Sequence, residues 1–465
     1  MNYKTSGLRS LGWNPWARYF VIPGKMEQRY RWTWVEAQAE QTMAAWNGCA
    51  GRSLPAGPRY TRKEQRKREK AYDEALSAVE REARKAPRTP AERLLAQRRM
   101  VDVFPRFAAV ALGLEAEAVQ LLTGSFFPVA TRLARWARSY DAALAMDDTI
   151  QACRNAWTAC GLQALLGQPM ELTPSILAYS LLYPYSDNCL DHPELSTSEK
   201  LLFSERFRQR LRGQRVSARN HREEAVWTMV HMIEEQYPRP RYPQVFDCLL
   251  AIHRAQEQSI AQLGDGGRFD LAALLRISCA KGGSSVLADA CLAQPGLTAE
   301  ESRFSFAWGA LLQLGDDLQD VREDLRRGSA TLFTRAAAEG SPLDSLVLQL
   351  LNFNGLVADR MDRLPNGTAA LKDLLRMSWR SLIFMAVAGA QSFFSRAFLG
   401  GLEPYSPFRF DFLRARNEKL TGRQALYAPL FDAFLEAGAD DPNGPAFPAI
   451  PTVGPRPLQP ERAAA

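Results

Sequence analysis

An all-α fold is the prediction for this 465-residue chain, and three observations carry it. Apolar residues recur at three- and four-residue spacing through most of its length, which gathers them on one face of a helix. No alternating apolar and polar run bounded by hairpin turns stands out. With 46% hydrophobic and 23% charged residues, the composition is that of a globular core under a solvated surface.

In chain order, residues 1–60 are rich in Trp, Gly and Pro and predict an irregular or short-helix arm. A single all-α domain is expected over 61–400, because helical spacing recurs there without a break that would divide it. Its periodic segments are 71–85, 104–122, 127–138, 148–166, 174–191 and 198–211, followed by 223–236, 244–262, 271–292, 299–325, 343–364 and 369–398. The apolar run inside 174–191 is stopped by Pro193. The apolar stretch 381–395 is too short to span a bilayer and predicts a core helix. A helical appendage is expected over 401–437. A disordered or surface-draped tail is expected over 438–465, where seven prolines fall in 28 residues.

A mean hydropathy of −0.27 argues against an integral membrane protein, and the first twenty residues contain no apolar leader segment. Seven scattered cysteines without a Cys-x-x-Cys pair predict reduced, mostly buried thiols, so a cytoplasmic protein is expected. The net charge of +7 is concentrated in residues 59–88, where both signs mix at helical spacing. A solvated helix is the plain reading; peripheral contact with anionic lipid headgroups is the functional alternative. No nucleic-acid motif accompanies the basic residues, so no nucleic-acid partner is expected.

Chemistry is concentrated in the run QLGDDLQDVREDLRRG at 313–328, which sets Asp316, Asp317, Asp320, Glu323 and Asp324 behind an apolar stretch. In a helix, Asp316, Asp320 and Asp324 recur every fourth residue beside Glu323, so like charges crowd one face. They also approach the end that Gly328 would cap, where the helix dipole is already negative. A divalent cation reverses the sign of both effects, since hard ions such as Mg²⁺ take oxygen ligands and bridge them to phosphates. The competing explanation is a surface helix laced with i,i+4 pairs such as Glu323 with Arg327.

A second acidic pair, Asp187 and Asp191 in YPYSDNCLDHP, shares one face at the end of an apolar helix. Facing the first run across a bundle, the two would hold metal between them. Between them lies SCAKGGSSVLAD (278–289), where Lys281 offers a cation to a diphosphate and two glycines either admit a ligand close to backbone or break the helix. Arg206, Arg210 and Arg222 are within reach of phosphate oxygens in some packings and are ordinary surface arginines in others. Asp147 and Asp148 imitate an aspartate motif but lack a third acid, which favours helix capping. None of the four histidines forms His-Glu-x-x-His, which argues against a zinc site.

The run at 313–328 resembles the second aspartate motif of squalene and phytoene synthases, and Asp316, Asp317 and Asp320 are similar to the Asp-Asp-x-x-Asp of polyprenyl diphosphate synthases. The nearer resemblance is to bacterial large terpene synthases of the tetraprenyl-β-curcumene synthase type. It rests on Tyr-Pro-Tyr before DNCLD, on IHRAQE (252–257) and on KGGSSVLAD (281–289) in this order. It covers about residues 150–333; the Asn-Asp-x-x-Ser-x-x-x-Glu motif of ordinary microbial cyclases is missing, and Asn188 follows Asp187 where many relatives carry Asp.

The resemblance implies a class I terpenoid synthase-like helical bundle around a central apolar cavity. It implies two or three Mg²⁺ ions and a long linear prenyl diphosphate that is ionised to a cyclic or linear terpene. Asp187, Asp191, Asp320 and Asp324 would be metal ligands, with Asp316, Asp317 and Glu323 beside them. Lys281, Tyr185, Gln313, Arg222 and Gln256 are the expected substrate-binding residues. His253 is either a proton acceptor lining the cavity or the donor of a structural hydrogen bond, and Phe203, Trp227, Phe304 and Trp308 are cavity walls or plain core. The alternatives are a squalene- or phytoene-synthase-like head-to-head prenyl transferase and a non-catalytic isoprenoid-binding helical protein.

Overall fold

The computed structural model describes residues 29–85, 87–191, 195–262 and 269–436, and the side chains of 187–191, 197, 424, 434 and 436 lie outside those described. The tail expected at 438–465 and the first 28 residues of the arm are also outside them. Among the described residues the fold is all-α, with no β-strand.

Helix α1 (Trp32–Asn47) lies within the span expected to be an irregular or short-helix arm. It buries Val35, Gln38, Ala39, Thr42, Met43 and Trp46, a spacing that marks one helical face. Gln38 and Thr42 on that face blur the apolar stripe in sequence. Helix α2 (Arg62–Lys85) begins nine residues before its apolar pattern does, because its first turns are carried by charged residues. The single helix expected over 104–122 is divided: α3 (Pro90–Phe107) passes into a π-helical turn (Ala108–Leu112) that ends at Gly113 in the left-handed region (φ 74°). A short α4 (Ala116–Leu121), a second π-helical turn (Leu122–Phe126) and α5 (Phe127–Tyr140) follow.

The next five helices keep close to their expected limits: α6 (Met146–Leu165), α7 (Pro174–Asp191), α8 (Thr197–Leu211), α9 (His221–Gln236) and α10 (Pro243–Ile260). In α6 the cap position is Ala145, so Asp147 and Asp148 stand in the first turn, where the dipole favours them, and do not cap the helix. Helix α11 (Leu271–Ala293) is apolar all round and central, buried against α1, α6, α10 and α12 (Ala299–Gln319). Among the described residues α11 is the helix long and apolar enough to cross a membrane, and 67% of its apolar window is buried inside the protein.

The helix expected over 299–325 breaks after Gln319 and resumes as α13 (Val321–Arg327). Then come α14 (Leu332–Ala338), α15 (Asp344–Asp362) and α16 (Ala369–Gly389). The helix expected to run to 398 ends at Gly389, and α17 (Arg396–Leu402) follows a 3₁₀ turn with Ser395 as its cap. Helices α18 (Phe410–Thr421) and α19 (Gln424–Glu436) fold back on α2, fastened by Glu69 with Arg409 and Asp73 with Arg416. One continuous apolar core runs from Tyr30 to Phe410, and a small second cluster of Ala83, Ala96 and Leu430 joins α2, α3 and α19. The six described cysteines are free thiols; Cys248 and Cys291 lie sulfur to sulfur at 3.0 Å.

Candidate functional site

The acidic run lies at the break between α12 and α13. Asp320 serves as end cap of one helix and start of the next (φ −92°, ψ 4°). Its N–H donates to Asp316 O (2.9 Å), and the Asp324 N–H donates to Asp320 O (2.9 Å). The four-residue register therefore survives the break, and Asp316, Asp320 and Asp324 stay stacked on one side. Gly328 (φ 68°) ends the run as expected, with Ser329 N–H donating to Asp324 O and Gly328 N–H to Leu325 O.

Asp317 is buried and held at both oxygens: Ser278 Oγ donates to Oδ2 (2.6 Å) and Gln313 Nε2 to Oδ1 (2.8 Å). Burial raises its carboxyl, and those two bonds and Lys281 oppose the rise. Asp316 is pushed up to about 7, first by burial and then by Asp320 and Asp317, with Arg154 and Lys281 pulling the other way. Its side chain is nonetheless solvent-exposed by area. Water at that exposed face screens part of the effect. Asp324 is likewise pushed up to about 7, by burial and then by Asp317 and Asp320, against Arg327 and Lys281. Asp320 is raised mainly by burial.

Four carboxylates thus share one electrostatic neighbourhood with Lys281 of α11 and Arg154 of α6. Glu323 is exposed and ion-paired with Arg327, the i,i+4 pair the sequence offered as the plain alternative.

The two glycines after Lys281 do not break the helix, which corrects that alternative: α11 runs through them without interruption. A methyl on Gly282 would meet the Gly309 carbonyl and the Gln313 side chain, and one on Gly283 would meet the Phe306 ring. Their role is to let α11 and α12 pack backbone to backbone, which brings Lys281 and Gln313 to the acids.

Other expected residues are placed elsewhere. The backbone of Asp187 and Asp191 closes α7, and their side chains lie outside the described residues. Tyr185 is buried and donates to Asp141 Oδ2 (2.9 Å), just past α5. His253 is buried between α8 and α10, where Nε2–H donates to Ser204 O (3.0 Å) and the ring lies edge-on to Phe207. Burial depresses its basicity, with Glu257 opposing, so it is a neutral ring making a structural hydrogen bond. Arg206 is engaged with Glu223 and Arg210 with Glu234. Arg222 and Gln256 are half-buried on α9 and α10. Phe304 and Trp308 are fully enclosed in the core, and Phe203 packs against Phe207.

Two neighbours escaped the sequence reading. Arg154 faces the acids from α6. One residue on, Asn155 donates from Nδ2 to Asp289 Oδ1 (3.0 Å) and Ser180 Oγ (3.1 Å), tying α6 to α11 and α7. Asp289 is wholly buried and pushed well above the carboxylate range by burial. The only sequence signal was polarity on otherwise apolar helical faces.

Among the described residues no group of three or more His, Cys, Asp or Glu side chains is disposed to hold a metal ion; the Asp187 and Asp191 carboxylates are not among them. No family model, curated protein or solved structure matches the chain.

Proposed function

We propose that this chain is a Mg²⁺-dependent class I isoprenoid synthase that ionises a long linear prenyl diphosphate, releases diphosphate and forms a terpene. One observation carries the reading: Asp316, Asp317, Asp320 and Asp324 are gathered at a helix break, where burial first and their mutual repulsion second push Asp316 and Asp324 up to about 7, with Lys281 on the facing helix. Folding alone gives no reason to gather these acids, since like charges at this spacing repel.

The donor set suits a hard divalent cation, being carboxylate oxygen without thiol or imidazole. Asp320 and Asp324 would contribute ligands to it, and Asp187 and Asp191 at the end of α7 would complete the group. Mg²⁺ held there supplies Lewis-acid neutralisation of the charge that develops on the departing diphosphate.

The chain's own groups do the rest. Ser278 and Gln313 fix the Asp317 carboxylate so that it cannot rotate away, as positioning groups. Lys281 donates to diphosphate oxygens as the carbon–oxygen bond breaks. The apolar faces of α11 and α12 behind it exclude water that would otherwise capture the carbocation.

The test is release of inorganic diphosphate from a ladder of prenyl diphosphates of increasing length, with Mg²⁺, followed by product analysis. Asp320→Asn should remove turnover and leave a folded protein. Absence of diphosphate release with every chain length, or full activity in Asp320→Asn, would sink the reading.

A further inference from the structure

A groove of about 610 Å³ runs between α2 and α18, and none of the acids at 316–324 lines it. Along α2, Arg66, Lys70, Ser77 and Arg81 face it at spacings of four, seven and four, which keeps them on one side of the helix over about 22 Å. From the other wall come Arg409 and Arg416.

Every acid in the groove is already engaged. Glu69 accepts from the Arg409 backbone N–H (3.0 Å), Nε (2.9 Å) and Nη2 (2.6 Å). Asp73 accepts from Arg416 Nε (2.6 Å) and Nη2 (2.8 Å), and Glu74 from Arg106 Nη2 (3.3 Å). Among the described residues Arg66, Lys70 and Arg81 make no ion pair, and the second terminal nitrogen of Arg409 and of Arg416 makes no hydrogen bond. Five cations stand against three acids, and the two clamped guanidiniums are held in fixed orientation with donors to spare.

We propose that this groove binds a multiply charged phosphate group, free or as part of a larger molecule. The bidentate clamps pre-orient Arg409 and Arg416, so the anion orders chiefly Arg66, Lys70 and Arg81 on binding. The site needs no divalent cation and is independent of the acid cluster, so it stands or falls apart from the proposed catalytic reading.

Inorganic triphosphate titrated calorimetrically into the full chain in EDTA should bind at one saturable site whose affinity falls with salt. Arg66→Glu/Lys70→Glu should weaken binding at least tenfold, and Arg66→Gln/Lys70→Gln by less. Lys200→Glu/Arg212→Glu, an equal charge change outside the groove, should bind as the parent does. All these side chains reach solvent, and circular dichroism checks that the variants fold. Sedimentation with vesicles containing phosphatidic acid, whose phosphomonoester is multiply charged, is the second arm. If triphosphate fails to bind but vesicle binding is lost selectively in the Arg66/Lys70 variant, the phosphate belongs to a lipid headgroup. No binding in either arm, or an equal loss in the Lys200/Arg212 control, overturns the proposal.

Discussion

Gly282 and Gly309 meet backbone to backbone where α11 crosses α12, so closely that a methyl on either would run into the carbonyl oxygen of the other. Backbone cannot step aside as a flexible side chain does. Gly282→Ala and Gly309→Ala should each cost about 1–3 kcal/mol in urea unfolding, toward the upper end. Both should also lose diphosphate release, because Lys281 and Gln313 flank the same crossing. Parent-like urea midpoints in both variants would refute the packing role.

Burial, and then the neighbouring aspartates, push Asp316 and Asp324 up to about 7 in the fold, against an ordinary value of 3.8. Between those values the folded chain holds protons that the unfolded chain has lost, so these groups withdraw stability as pH rises through that window. At about pH 8 in EDTA, Asp316→Asn should therefore melt above the parent, by an amount on the order of 1 °C, and the gap should close near pH 4. Mg²⁺ should raise the parent's melting temperature at the higher pH and leave Asp316→Asn/Asp324→Asn unmoved. An equal Mg²⁺ response in that variant would remove these acids from metal binding.

Asp289 is a buried carboxyl whose hold on its proton is strengthened by burial, and Asn155 is its hydrogen-bond donor. Asp289→Asn replaces a neutral acid with a neutral amide and should change stability by less than about 1 kcal/mol at neutral pH. Asn155→Ala removes the donor to both Asp289 and Ser180 and should cost about 1–3 kcal/mol. Thermal unfolding across pH checks the pair, and a large loss in Asp289→Asn would mean that the group is ionised in the fold.

Glu234 shows the opposite sign. Burial alone would raise its carboxyl, but Arg210 and Arg239 hold it below the ordinary 4.5. The stability it contributes is complete above that value and is lost as pH falls through the lower folded one. Arg239→Met should cost about 1–2 kcal/mol at neutral pH and move the acid-unfolding midpoint upward. An unchanged acid midpoint would show that Glu234 does not need Arg239.

Much of the helical framework was legible in residue spacing. The limits of α7 and α11 follow from long apolar runs with clear stops, and burial of those runs is what makes them helices in the fold. Helix α1 was not legible, because two of its buried positions are Gln38 and Thr42, whose burial is granted by neighbours distant in sequence. Nor was the break at Asp320, because apolar spacing continues on both sides of it.

By itself the sequence determined an all-α chain, the crowding of acids at 316–324 and the end of that run at Gly328, since these depend on local spacing and on a backbone conformation glycine adopts freely. Only the tertiary structure decided what stands around those acids. Arg154 and Asn155 come from a helix more than 150 residues upstream, and the Lys281 glycines gain their meaning from Gly309 on the next helix. The same holds for the basic stretch of α2, whose acids are taken by Arg409 and Arg416 from far along the chain, leaving its own cations on the groove. Periodicity is a property of neighbours in sequence, whereas pairing, burial and the shift of a carboxyl are set by neighbours in space.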